Sequence, residues 1–299
     1  MRVAITGAGG LIGRQLVSEL TAAGGAVVRL VRRGPGPGQV LWNPQAEQQD
    51  LRDLEGVEAV VHLAGENVAA SRWTPRRKQE LTASRVQATR GLCEGLARLR
   101  QPPRVLISAS AVGWYGNRGT EWLDESSAPG AGFLAELAQA WEQSTSPARD
   151  AGMRVVLMRF GIVLAKEGGA LAKMLTPVRW GLGGPLGPGD QYWSWVTLRD
   201  ACAAIRHGML TDAVRGPVNT VAPQAVTNRE FVQTLARVLH RPACFPTPAV
   251  VLRCVLGEMA DEMLLSSTRV QPAVLARSGF SFQDAELESA LYGLLGRSS

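Results

Sequence analysis

The residues Met1-Arg2-Val3-Ala4-Ile5-Thr6-Gly7-Ala8-Gly9-Gly10-Leu11-Ile12-Gly13 decide the architecture. Positions 2–5 are a short, apolar, partly β-branched run, the composition of a buried strand. Gly7, Gly10 and Gly13 follow at even spacing, and positions 14–20 carry the apolar rhythm of an amphipathic helix. A strand, a glycine turn and a helix N-terminus in that order predict a dinucleotide cradle. Gly7 permits the turn, Gly10 admits backbone N–H groups to a pyrophosphate, and Gly13 lets helix and strand pack closely. A plain structural turn is the competing reading, and the flanking strand and helix favour the cradle.

The residue ending the second strand separates the two nicotinamide cofactors. An acidic side chain there accepts from ribose hydroxyls, whereas arginine pairs with a 2′-phosphate. This strand ends Leu30-Val31-Arg32-Arg33-Gly34, which predicts NADP(H), with Arg32 and Arg33 as the phosphate clamp. Two solvated arginines at a strand end are the plainer alternative. A later strand runs into His62-Leu63-Ala64-Gly65-Glu66-Asn67. Leu63, Ala64 and Gly65 allow close backbone approach to a cofactor, and Glu66 and Asn67 leave the carboxyl edge of the sheet, where ligands bind in open α/β folds. His62 reads as a satisfied histidine at the end of a buried strand.

The chain has 299 residues, 45% hydrophobic and 19% charged, which suits a large globular core and excludes disorder. No apolar run reaches the roughly 18 residues of a membrane helix. The first strand leaves no room for a signal peptide, so a cytoplasmic protein with no membrane partner is expected. Cys93, Cys202, Cys244 and Cys254 lack ligand spacing, and His62, His207 and His240 fall in unrelated segments, so no metal site is expected. The net charge of +6 raises nucleic acid as a partner, but the arginines are dispersed apart from Arg76-Arg77-Lys78, and no nucleic-acid partner is predicted.

Strand-like runs at 27–31, 40–42, 59–63, 105–108 and 154–158 alternate with helical patterns. The clearest helix opens at Thr74-Pro75 and carries Leu81, Ala88, Leu92, Leu96 and Leu99 on one stripe. Alternation of this kind predicts an α/β fold with a doubly wound parallel sheet. Past residue 165 the texture changes to a Gly/Pro loop at 181–189, the aromatic Tyr192-Trp193-Ser194-Trp195 and a capping box at Thr227-Asn-Arg-Glu230. Residues 1–165 are therefore read as the nucleotide domain and 166–299 as a smaller mixed α/β substrate domain, with segments around 195–222 returning to the sheet.

Thr6 to Gly13, His62 to Gly65 and Ser108-Ala-Ser-Ala-Val-Gly-Trp-Tyr-Gly116 resemble the extended short-chain dehydrogenase/reductase superfamily, and its atypical epimerase-like branch in particular. Arg72-Trp73-Thr74, Ser84-Arg85, Trp141-Glu142, Arg159-Phe-Gly161, Asn219-Thr-Val-Ala-Pro223 and Gly257-Glu-Met259 extend the resemblance over nearly the full length. It implies a Rossmann domain with a small C-terminal domain, and it adds Gly9, Leu11, Ile12, Arg85, Ser108 and Arg159 to the cofactor-binding residues. Ser110 resembles the strand-end catalytic serine, with Tyr115 just beyond it as an alternative acid. Arg159, Lys173, Gln191, Trp193, Ser194 and Trp195 are candidates to line a substrate cleft, together with Asn67; core packing is the competing account of the tryptophans.

Reductases and epimerases of this kind use a tyrosine with a lysine four residues later, the lysine lowering the phenol pKa. None of the three tyrosines here has that lysine, and the helix expected to carry the pair reads Phe133-Leu-Ala-Glu-Leu137. The resulting expectation is an NADP(H)-binding reductase-like protein, an oxidoreductase or epimerase acting on the carbonyl or alcohol of a small molecule. The rival is a catalytically inactive nucleotide-sensing or regulatory protein, related to cell division, on the same fold. Either would be a monomer or a homodimer, the helix from Thr74 offering a dimer face.

Overall fold

The computed structural model describes residues 1–46 and 49–296. Five strands come first: β1 (Arg2–Thr6), β2 (Ala26–Val31), β3 (Gln39–Leu41), β4 (Ala59–His62) and β5 (Val105–Ala111). After β6 (Trp122–Leu123) come β7 (Arg154–Phe160), β8 (Ile162–Ala165), β9 (Tyr192–Trp193), β10 (Trp195–Thr197), β11 (Gly216–Thr220), β12 (Val226–Thr227) and β13 (Arg269–Val270). One seven-stranded sheet has the order β11-β7-β5-β4-β1-β2-β3. The pairs β1–β2, β1–β4, β2–β3 and β4–β5 are parallel. The chain order reverses between β1 and β4, and such a switch point opens the ligand crevice of doubly wound sheets. The remaining strands form the short pairs β8–β10, β9–β12 and β6–β13.

The helices are α1 (Leu11–Ala22), α2 (Pro75–Thr82), α3 (Ala88–Ala97), α4 (Phe133–Gln143), α5 (Ser146–Asp150), α6 (Gly169–Arg179), α7 (Leu198–Leu210), α8 (Asn228–Val238), α9 (Ala249–Leu256), α10 (Ala273–Arg277) and α11 (Leu287–Leu295). Thr74 caps α2 by accepting from the Arg77 N–H at 3.1 Å, with Pro75 at the first position. The long helix read from the sequence is broken by a π turn at Ala83–Gln87, which turns Arg85 off the regular stripe. None of the described helices is long and apolar enough to cross a membrane.

By compactness the chain forms two units. Unit 1 gathers Met1–Ser110, Leu137–Met158 and Cys202–Val218; unit 2 gathers Ala111–Glu136, Arg159–Ala201 and Asn219–Ser299. The units interleave along the chain; the sequence reading cut it after residue 165 and returned segments around 195–222 to the sheet, and β11 (Gly216–Thr220) is a strand of that sheet. Unit 1 is built on a core of Leu30, Val60, Leu92, Leu96 and Leu106. In unit 2 Trp193, Trp195, Phe231, Leu235 and Leu291 pack together.

Candidate functional site

The glycine turn of unit 1 is sterically determined. Gly7 sits at φ +68°, and a Cβ there would lie 2.7 Å from the Leu63 carbonyl carbon. A Cβ on Gly13 would collide with the Gly7 carbonyl oxygen. The loop after β4 is thus seated directly on the turn after β1. Gly9 faces open space, and α1 begins at Gly10 without a side-chain cap. Uncapped N–H groups beside an open glycine turn are what an anion at a helix N-terminus requires, so the cradle fits a dinucleotide pyrophosphate. Leu11 and Ile12, half-buried, form the first turn of α1.

Arg32 and Arg33 follow β2, fully exposed, and neither makes a hydrogen bond or ion pair among the described residues. Free guanidinium groups at this strand end suit a phosphate. Leu63 and Ala64 are half-buried, while Gly65, Glu66 and Asn67 are exposed. Arg85 donates to the Glu66 carbonyl at 2.8 Å, and its guanidinium lies 5.1 Å from the Trp141 ring centroid. Burial, with help from Arg77, lowers its pKa to about 10. Asn67 closes its own turn, its side chain accepting from the Ala69 N–H at 2.9 Å.

Behind this loop runs a buried relay. Thr6 Oγ1 accepts from the Leu63 and Ala64 N–H groups at 3.2 and 3.3 Å and stands 2.7 Å from His62 Nδ1. With both lone pairs used, the Thr6 hydroxyl donates to Nδ1. The His62 proton is therefore on Nε2, which donates to Thr89 Oγ1 at 2.9 Å; the Trp141 indole donates to the same oxygen at 2.9 Å. Burial holds the imidazole pKa down to about 4, so the ring is neutral. His62 is the satisfied core histidine that was expected.

At the end of β5, Ser110 donates to Glu142 Oε1 at 2.7 Å, both side chains buried. Ser108, two residues earlier, is fully buried, and its hydroxyl lies 3.4 Å from the neighbouring Ala109 carbonyl.

In unit 2 the expected roles change. Tyr115 is fully buried: its hydroxyl lies 2.9 Å from the Asp124 carbonyl and 2.7 Å from Asn219 Oδ1, and accepts from Arg159 Nη1 at 3.0 Å. Burial pushes the phenol up to about 12 against the pull of Arg159. All of these partners are protein groups. Arg159 is buried too, 3.9 Å over the Trp114 ring.

The cleft candidates Gln191, Trp193, Ser194 and Trp195 are buried and bonded to protein groups. The two tryptophans lie in the unit 2 core, their indoles donating to the Leu264 and Gln224 carbonyls. Ser194 donates to the Thr268 carbonyl at 2.8 Å and accepts from the Val270 N–H. Gln191 donates to the Leu186 and Leu264 carbonyls. Lys173 alone of this set is exposed, on α6. Trp193 to Thr197 are buried without a break, so both faces of this run are covered, which a sequence run does not reveal.

Phe133 and Leu137 fall in α4. Glu262, from a π turn at Ala260–Leu264, accepts from the Phe133 and Leu134 N–H groups at 2.8 and 2.7 Å. Glu262 and Thr89 carried no sequence signal, since each acts through a partner distant in the chain, and Asn219 was visible only within a shared motif. Trp141-Glu142 was visible only as a shared motif.

Comparison with known proteins meets this geometry directly. Residues 3–221 match the NAD dependent epimerase/dehydratase family, and residues 247–293 match a domain of unknown function, DUF1731. The chain belongs to the NAD dependent epimerase/dehydratase family. It is 42% identical over 290 residues to the epimerase family protein Mb2239 of Mycobacterium bovis, covering 97% of this chain and 96% of that one. It is 36% identical over 295 residues to human epimerase family protein SDR39U1, covering 97% and 98%. The crystal structure of human SDR39U1 (isoform 2) with NADPH superposes with a TM-score of 0.91 at 34% identity, covering 98% and 99% of the two chains. The epimerase/dehydratase match spans the cradle and the relay, and the DUF1731 match contains Glu262.

Proposed function

We propose that this family member binds NADP(H) in the cradle of unit 1 and is an oxidoreductase or epimerase acting on the carbonyl or alcohol of a small molecule. The observation that carries the reading is the pairing of an uncapped glycine turn at α1 with two unpartnered arginines, Arg32 and Arg33, after β2. The NADPH in the human SDR39U1 crystal supports it. Gly7, Gly9, Gly10 and Gly13 would hold the pyrophosphate, the arginines the 2′-phosphate, and the Leu63–Gly65 loop the path toward the nicotinamide. A bound nicotinamide supplies hydride transfer.

Proton handling falls to Ser110. Its hydroxyl is hydrogen-bonded to the Glu142 carboxylate at the carboxyl edge of the sheet, and it retains lone pairs to meet a substrate hydroxyl. Glu142 positions that hydroxyl. The side chains of Tyr115, Phe133 and Leu137 have no part in the chemistry.

A second reading, a nucleotide sensor without turnover, is favoured by the locked Tyr115 and by the apolar Phe133 and Leu137. Titration with NADPH and NADH, followed by energy transfer from tryptophan, tests the cofactor. Tight NADPH and weak NADH binding is expected, and no binding of either sinks both readings. Transfer of deuteride from 4-deuterated NADPH to members of a carbonyl panel then separates the enzyme from the sensor.

A further inference from the structure

Trp180, Leu182, Phe245, Val250, Val251 and Val255 account for most of the large apolar side chains exposed among the described residues, and all lie in unit 2. Trp180 is 78% exposed, Val250 66% and Phe245 58%. Their segments are laced together: the Phe245 N–H donates to the Gly183 carbonyl at 3.2 Å, the Thr247 N–H to the Pro185 carbonyl at 2.9 Å, and the Gly187 N–H to the Thr247 carbonyl at 2.8 Å. On α9 the buried Leu252 faces inward, whereas Val250, Val251, Cys254 and Val255 share the opposite face at helical spacing. Such a helix is apolar on its solvent side, and a patch of this size marks an interaction surface.

Charge decides the partner. Residues 168–189 and 231–257 carry Lys173, Arg179, Arg237, Arg241 and Arg253 and no aspartate or glutamate, and the exposed Glu167, Asp190, Glu230 and Glu258 flank them in the chain. Arg253 pairs with Asp261 at 2.9 Å and Arg237 with Glu288 at 3.0 Å. Arg179, beside Trp180, and Arg241, beside the Pro242 that packs near Gly181, make no ion pair among the described residues. A twofold contact between copies would bring these arginines against their like. Aromatic side chains at turn tips, an outward apolar helix face and a rim of free arginine suit lipid acyl chains beneath phosphate headgroups.

We propose that unit 2 docks on the surface of an anionic phospholipid bilayer through the Trp180–Leu182 turn, Phe245 and the outer face of α9. This is surface attachment and involves no spanning helix.

Sedimentation of the full chain with vesicles tests it. Phosphatidylcholine vesicles containing phosphatidylglycerol should carry the protein down, and phosphatidylcholine alone should not. High salt should release it. A Trp180→Ser, Phe245→Ser double variant should lose about tenfold or more in partitioning, and Arg179→Glu and Arg241→Glu about fivefold or more each. Brominated acyl chains should quench tryptophan emission in the wild type and much less in Trp180→Ser. These residues are exposed, so circular dichroism and melting temperature should not change. Equal affinity for neutral vesicles, no binding to anionic ones, or binding indifferent to the variants would overturn the proposal. So would a dimer in sedimentation velocity that the same variants convert to monomer without any effect of lipid.

Discussion

The Ser110 hydroxyl donates to the Glu142 carboxylate across 2.7 Å, and both side chains are buried. Ser110 is the penultimate residue of β5 and Glu142 lies near the C-terminus of α4, so this bond ties the sheet edge to that helix. A buried carboxylate that loses a donor is costly, so replacement of Ser110 by Ala should destabilise the protein by about 1–3 kcal/mol. Ser110→Thr, which keeps the hydroxyl, should recover most of that loss in a thermal melt. Under the proposed function only the alanine variant also loses deuteride transfer.

Tyr115→Phe should behave differently. The change removes the buried hydroxyl that meets Asn219 Oδ1 and Arg159 Nη1 and should cost about 1–3 kcal/mol in denaturant unfolding. NADPH affinity should stay within about twofold, since the hydroxyl's partners are all protein groups. A loss of turnover beyond the loss of folded protein would restore Tyr115 to the chemistry.

His62 makes stability pH-dependent. The folded ring takes a proton only near pH 4, against 6.5 when unfolded. Between those values the unfolded chain binds more protons, so stability is complete above about pH 6.5 and falls as pH drops, by about 1.4 kcal/mol per unit. Urea midpoints measured across that window should slope accordingly, and His62→Gln should flatten the slope while lowering stability at neutral pH.

Arg32→Asp combined with Arg33→Asp should weaken NADPH by about tenfold or more and leave NADH little changed, because charge-assisted bonds to a 2′-phosphate are lost. Titration of both nucleotides measures it. An unchanged NADPH preference would reduce the pair to solvated surface charge.

Glu262→Ala removes the acceptor for two N–H groups in the first turn of α4 and should cost about 1–2 kcal/mol. Glu262→Gln, which keeps one acceptor oxygen, should cost less. Hydrogen exchange of the Phe133 and Leu134 amides should report the difference, rising most in the alanine variant.

The glycine turn, the strand–helix alternation and the Thr74 and Thr227 caps were legible in the sequence because each is a local device, complete within a few residues. Arg32 and Arg33 were legible for the same reason: a strand end displays its own side chains. The absence of a Tyr/Lys pair is likewise a plain fact of the chain. Only the tertiary structure decided that Tyr115, Arg159, Gln191, Trp193, Ser194 and Trp195 are buried, since burial depends on what covers a face and alternation alone does not say. The relay from Trp141 through Thr89 and His62 to Thr6 needed the Thr6–His62 register of β1 and β4 and a helix brought over them. The outward apolar face of α9 was equally invisible, because a helix that is apolar on both sides reads as core until its neighbours are placed.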